Sequence, residues 1–198
     1  MVRDNQPGPR PQQRKSPQPL KPLTPDRLGN IALAYLARHA ASCAHFAAVL
    51  ARRIDRADQR GLAPDRPALE AKAATLVANA CQQGLIDDAA LAQSLLSRYQ
   101  REGRSMRIIK QKLAEKGIAA DLAAQAIAGM IADTSAEAHD HQAARRFAER
   151  RRLGPYRLTP ARDPDRQVQR DLGALARAGF SRAASVAALA STGEDEVE

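Results

Sequence analysis

Leu113-Ala114-Glu115-Lys116-Gly117-Ile118 and Leu175-Ala176-Arg177-Ala178-Gly179-Phe180 carry one pattern in two places. Each reads as a helix that stops at Gly, drops a large apolar residue into a core and starts again. Leu122 and Ile127 follow the first copy at the same distances as Ala184 and Leu189 follow the second. The position just past a helix favours the left-handed conformation, which is costly for any residue with a Cβ. A third, partial copy lies upstream, where Ser42, Phe46 and Leu50 stand to Ser105, Ile109 and Leu113 at one constant offset, with Ile54 where the other copies have Gly. Such repetition predicts an all-α chain of tandem three-helix repeats, stacked in an elongated, curved array that offers a binding surface rather than a catalytic pocket.

Working outward, residues 1–23 hold Pro7, Pro9, Pro11, Pro17, Pro19 and Pro22 among polar residues, which predicts a disordered Pro-rich arm. The first repeat is expected over residues 24–83, the second over 84–133, the third over 134–191, and an acidic tail over 192–198. Thr24-Pro25-Asp26 is a helix start, with a cap, a first-turn Pro and a first-turn carboxylate. A polar loop with Gly61, Pro64 and Pro67 is expected before the helical period of Leu69, Ala73, Leu76, Val77, Ala80 and Cys81. Asp87, Ser105 and Ser135 read as later caps, and Gly84, Gly103, Gly117 and Gly179 as helix ends. No stretch alternates with a period of two, so no sheet is expected.

With three Phe, three Tyr and no Trp, the core must be Ala, Leu and Ile packing. No apolar run reaches the length of a membrane span, and the first residues lack the apolar core of a signal peptide. Cys43 and Cys81 are too few for a disulfide scaffold and stand in no paired spacing; Cys81 reads as a small buried hydrophobe. These features predict a cytoplasmic monomer with no cofactor and no membrane contact.

Net charge is +9, which favours nucleic acid or an acidic protein surface as partner. The excess concentrates in two places. Arg98, Arg101, Arg104, Arg107, Lys110, Lys112 and Lys116 face only Glu102 and Glu115, and Arg145, Arg146, Arg150, Arg151 and Arg152 have only Glu149 to neutralise them. With Met106, Ile109 and Leu113 committed to the core, Arg107, Gln111, Lys112 and Glu115 turn outward on the wheel. These cations are the candidate partner-binding residues, against the alternative of a solvated face. His139-Asp140-His141 is the one cluster that looks like metal ligands. Adjacent helical positions diverge by about 100°, so the cluster reads as a solvated helix start, and no metal is expected. There is no GxSxG, no Gly-rich phosphate loop and no Ser-His-Asp motif, so the chain is not read as an enzyme.

Four segments in order carry a family resemblance: Leu28-Gly-Asn-Ile-Ala-Leu-Ala-Tyr-Leu-Ala-Arg38, Gly84-Leu-Ile-Asp-Asp88, Arg107-Ile-Ile-Lys-Gln-Lys-Leu-Ala-Glu-Lys-Gly-Ile118 and Ala178-Gly-Phe180. Together they resemble the RecX family of recombination regulators over residues 24 to about 190. The resemblance implies an array of three-helix repeats that binds the RecA filament on single-stranded DNA and inhibits its recombinase and co-protease activity. Ile108 departs from the polar pattern of its face. A stand-alone basic helical protein that binds DNA directly is the alternative reading, weakened because no aromatics interleave with the basic clusters apart from Tyr99, Phe147 and Tyr156 at their edges.

Overall fold

The computed structural model of this 198-residue chain describes residues 21–159 and 162–190. Most of the arm and all of the acidic tail lie outside the described residues. The described residues form α1 (Pro25–Leu36), α2 (Cys43–Asp58), α3 (Arg66–Gln82), α4 (Asp88–Arg101), α5 (Met106–Glu115), α6 (Ala120–Met130), α7 (Ala136–Arg151), α8 (Pro164–Arg177) and α9 (Arg182–Ala190), with one 3₁₀ turn at Gly154–Tyr156 and no strand.

The helix starts follow from side chains that satisfy orphan backbone donors. Thr24, Ser42, Asp65, Asp87, Ser105, Ser135 and Asp163 each accept an N–H from the first turn of the helix that they precede. Pro67 sits inside the first turn of α3 and not in the loop before it, a place where its missing N–H costs nothing.

Three apolar clusters fill the three helical units. Leu28, Phe46, Leu50, Ile54 and Leu69 centre the first, Leu96, Ile109, Leu113 and Ile127 the second, and Ala144, Ala148, Leu175, Phe180 and Ala184 the third. In each unit the first and third helices pack together: α1 on α3, α4 on α6 and α7 on α9.

Three sequence expectations change. The first unit does have the Gly ending. Helix α2 runs past Ile54, which is buried, and closes at Gly61 (φ +65°), where Leu62 N–H bonds Ala57 O at 2.9 Å. Ile118 N–H to Leu113 O and Phe180 N–H to Leu175 O repeat that bond after Gly117 (φ +75°) and Gly179 (φ +89°). The longer α2 displaces the cap along the chain and so hides it from a fixed-offset comparison. Leu23, assigned to the arm by its composition, is buried in the first core, and its N–H bonds Leu62 O at 2.7 Å. Finally, Cys43 and Cys81 are joined by a disulfide between the start of α2 and the end of α3, with a Cα–Cα distance of 6.3 Å. Their separation of 38 residues carries no spacing signal, because the helix ends meet only when α2 and α3 pack antiparallel.

Candidate interaction surface

Helix α5 turns Met106, Ile109 and Leu113 into the second core and so leaves its cations at the surface. Its two ends are not surface. At its start, Ser105 Oγ donates to Ala178 O at 2.9 Å while accepting from Ile108 N–H at 3.4 Å, and Met106 N–H donates to Asp140 at 2.7 Å. At its far end, Lys116 O accepts from Ser42 Oγ at 2.6 Å. Ser42 in turn accepts from His45 N–H at 3.0 Å, and Cys43 N–H donates to Asp88 at 2.9 Å. One latch is therefore built twice. A capping Ser reaches the carbonyl just before the Gly of the following unit, and the next amide is held by an Asp from that unit's first helix.

The latch explains why Gly stands at 117 and 179 beyond the demand of a left-handed backbone. A Cβ on Gly117 would lie 2.7 Å from Ser42 Oγ, and one on Gly179 would lie 2.5 Å from Ser105 Oγ and 2.8 Å from Ile108 Cγ1. Ile108, out of place on a polar face, is the apolar half of this junction. Asp140, read as part of a solvated helix start, is instead half-buried and holds Met106, while His139 Nε2 lies 3.3 Å from Arg104 O. Among the described residues, no group of three or more His, Cys, Asp or Glu is placed to hold a metal ion.

The two basic clusters of the sequence meet at one corner, between the end of α4 and the middle of α7. Arg150 Nη2 donates to Glu102 O at 2.8 Å across that gap. Arg98 and Arg104 both pair with the Glu102 carboxylate, at 2.8 and 3.0 Å, and their hydrogen bonds hold it below the usual carboxylate range. Beside them lies a cleft of about 240 Å³ lined by Gln100, Arg101, Gly103, His139, Gln142, Ala143 and Arg146, with no acidic residue in its lining. Two guanidiniums, two amides and an imidazole around one cleft form a donor-rich surround for a phosphate or carboxylate oxygen.

The remaining candidates disperse. Arg107 lies against Gly179, with its Nε 3.3 Å from where a Cβ would stand, and Lys112 is half-buried within 4.0 Å of Glu115. Lys110 on α5 and Lys116 just past its end are exposed. Arg151 rests on the Phe147 ring at 5.8 Å, and Arg145 is half-buried. Arg152 caps α7 in the left-handed conformation (φ +53°), a structural duty that no sequence signal marked. The latch residues Asp88 and Asp140 were also missed, since a carboxylate at or inside a helix start already has a local explanation.

Comparison with known proteins agrees with an array of three-helix units. Residues 87–127 match the family described as the second three-helix domain of RecX. The chain is 39% identical to the regulatory protein RecX of Myxococcus xanthus (strain DK1622) over 175 residues, which span 88% of this chain and 90% of that protein. It is 35% identical to the regulatory protein RecX of Agrobacterium fabrum (strain C58) over 111 residues, 56% of this chain and 54% of that one. No solved structure gives a significant match.

Proposed function

The chain belongs to the RecX family, and from that premise we propose that it regulates homologous recombination by binding the RecA filament on single-stranded DNA and inhibiting its recombinase and co-protease activity. It acts by binding and not by catalysis, in keeping with relatives named as regulatory proteins, and it does so as a cytoplasmic monomer. Among the described residues no helix is long and apolar enough to cross a membrane.

The observation that carries the reading is the corner where Arg101 and Arg146 share an acid-free cleft, flanked by Arg98, Arg104 and Arg150 with Glu102 among them. Five cations around one carboxylate attract a dense anionic surface, either acidic protein or phosphodiester, and the attraction falls as salt rises.

The test is binding to single-stranded DNA, naked and coated with RecA, over a salt series, with ATP hydrolysis by RecA read in parallel. The reading expects tighter binding to the coated DNA, together with inhibition. Equal affinity for naked DNA and no effect on RecA would instead establish a stand-alone DNA-binding protein.

A further inference from the structure

The Cys43–Cys81 disulfide lies in the first unit, away from the basic corner, and the proposed function does not use it. Its position is unusual in one respect. Cys43 is also the residue whose N–H is held by Asp88 in the junction between the first and second units. From Cys81 the chain runs through Gly84 and Ile86 to Asp88, then across the hydrogen bond to Cys43, and back through the sulfur bridge to Cys81. The bridge therefore closes a ring that includes the end of α3, the start of α4 and the start of α2. The second junction has Met106 at the matching place, held by Asp140, with no cross-link.

A purely structural staple is hard to justify here. The first core has ten buried residues and the most extensive surrounding layer, so it is not the unit that lacks apolar burial. The second and third units pack their helix pairs without any bridge, since these two cysteines are the only ones in the chain. Both cysteines are only half-buried, within reach of a small thiol. A disulfide that a fold does not need, yet that closes a ring through a junction, suits reversible use.

We propose that Cys43 and Cys81 form a redox-sensitive site that locks the junction between the first and second units when oxidised and loosens it when reduced. The reacting partner is a low-molecular-weight thiol and its disulfide. A thiolate attacks one sulfur of the bridge, and the other sulfur leaves as a thiolate and takes a proton. A second thiol then resolves the mixed disulfide, so two thiols become one small-molecule disulfide and the protein gains two S–H groups. Oxidation is the reverse exchange, with the small disulfide accepting the two electrons. The 6.3 Å Cα separation is within the range that a disulfide spans, so the packed helices accept the bridge where they stand.

The test uses the full chain, equilibrated without oxygen in glutathione mixtures, quenched with iodoacetamide and weighed by mass spectrometry. The site should pass between no and two alkyl groups as the ratio of reduced to oxidised glutathione rises, with both cysteines titrating together. Cysteines that stay fully alkylatable in excess oxidised glutathione would overturn the proposal, as would a bridge that reduced glutathione never opens.

Hydrogen exchange supplies the second readout. The amide at position 43 should exchange about tenfold faster in the reduced chain, while the Met106 amide, held by the equivalent uncross-linked latch, should not change. A C43S/C81S double variant should match the reduced chain in every glutathione mixture. Equal exchange at position 43 in both states would show that the bridge does not govern the junction. Neither readout involves RecA, so this inference and the filament reading stand or fall separately.

Discussion

Ser42 Oγ donates a 2.6 Å hydrogen bond to the main-chain carbonyl of Lys116, seventy-four positions along the chain. The same hydroxyl caps α2 by accepting from His45 N–H, so a single buried atom starts one helix and fastens the end of another. Ser105 does the same between Ile108 N–H and Ala178 O. Neither hydroxyl could reach its carbonyl if the next residue, Gly117 or Gly179, carried a side chain.

Gly117→Ala should therefore cost more than Gly61→Ala or Gly84→Ala. All three glycines are left-handed, which penalises a Cβ by about 1–2 kcal/mol, but only Gly117 faces Ser42 Oγ, whereas a Cβ at 61 or 84 meets nothing within 4 Å. Chemical denaturation of the three variants measures the difference. Equal losses would mean that the close approach to Ser42 is unimportant.

Asp140→Ala should destabilise the chain by about 1–3 kcal/mol, because it strands the N–H of Met106, which is a buried residue. Asp88→Ala should act likewise at the first junction through Cys43 N–H. If thermal melts of both variants overlay the parent, water replaces the carboxylates and the latch is the serine alone.

Reversing Arg101 and Arg146 together to Glu should leave stability within about 1 kcal/mol, since both side chains are exposed. Inhibition of RecA-driven ATP hydrolysis should weaken, most at low salt. This pair is the informative target, because Arg104 is paired with Glu102, Arg107 abuts Gly179 and Lys112 is half-buried. A folded double variant that inhibits as well as the parent would move the contact elsewhere on the array.

Asp171 sets a pH dependence. Burial pushes its carboxyl up, but Gly154 N–H at 2.9 Å, the Gln167 amide at 2.8 Å and the Arg157 guanidinium at 2.9 Å outweigh burial and hold it below the usual value. A lowered folded-state value means that the stabilisation is present above the ordinary carboxylate range. It is lost as pH falls through the folded-state value. Asp171→Asn should therefore cost on the order of 2–3 kcal/mol at neutral pH, and the melting curves of variant and parent should converge in acid. A gap that persists at low pH would assign the loss to packing and not to charge.

Much of the fold was legible because helix ends obey local rules. Ser42, Ser105 and Ser135 announce their helices, Gly117-Ile118 and Gly179-Phe180 mark the returns, and the apolar period of α5 places Met106, Ile109 and Leu113 without any tertiary knowledge. What could not be read depends on contacts between segments distant in sequence. The Gly61 cap was hidden by extra length in α2, and the disulfide by the separation of its cysteines. For the interaction surface, the sequence marked which residues are basic but not which are spent. Arg104 is tied to Glu102 and Arg152 to a helix end, while Arg101 and Arg146 converge only because Gly103, just past the end of α4, lies against Ala143 of α7. Ile108, an anomaly on a helical wheel, becomes ordinary once Gly179 is opposite it.

The two latches also differ in one register. The acidic partner is the first residue of α4 at one junction and the fifth residue of α7 at the other. Four helical residues amount to one turn, an advance of about 6 Å. Counted from the latch carboxylate, Ala92 and Leu96 of α4 and Ala144 and Ala148 of α7 are buried at the same two places, so α7 packs as α4 does and simply begins one turn earlier. That extra turn brings His139 to the cleft of Arg101 and Arg146, and α4 has no counterpart to it, so the two junctions do not offer a helical partner the same surface.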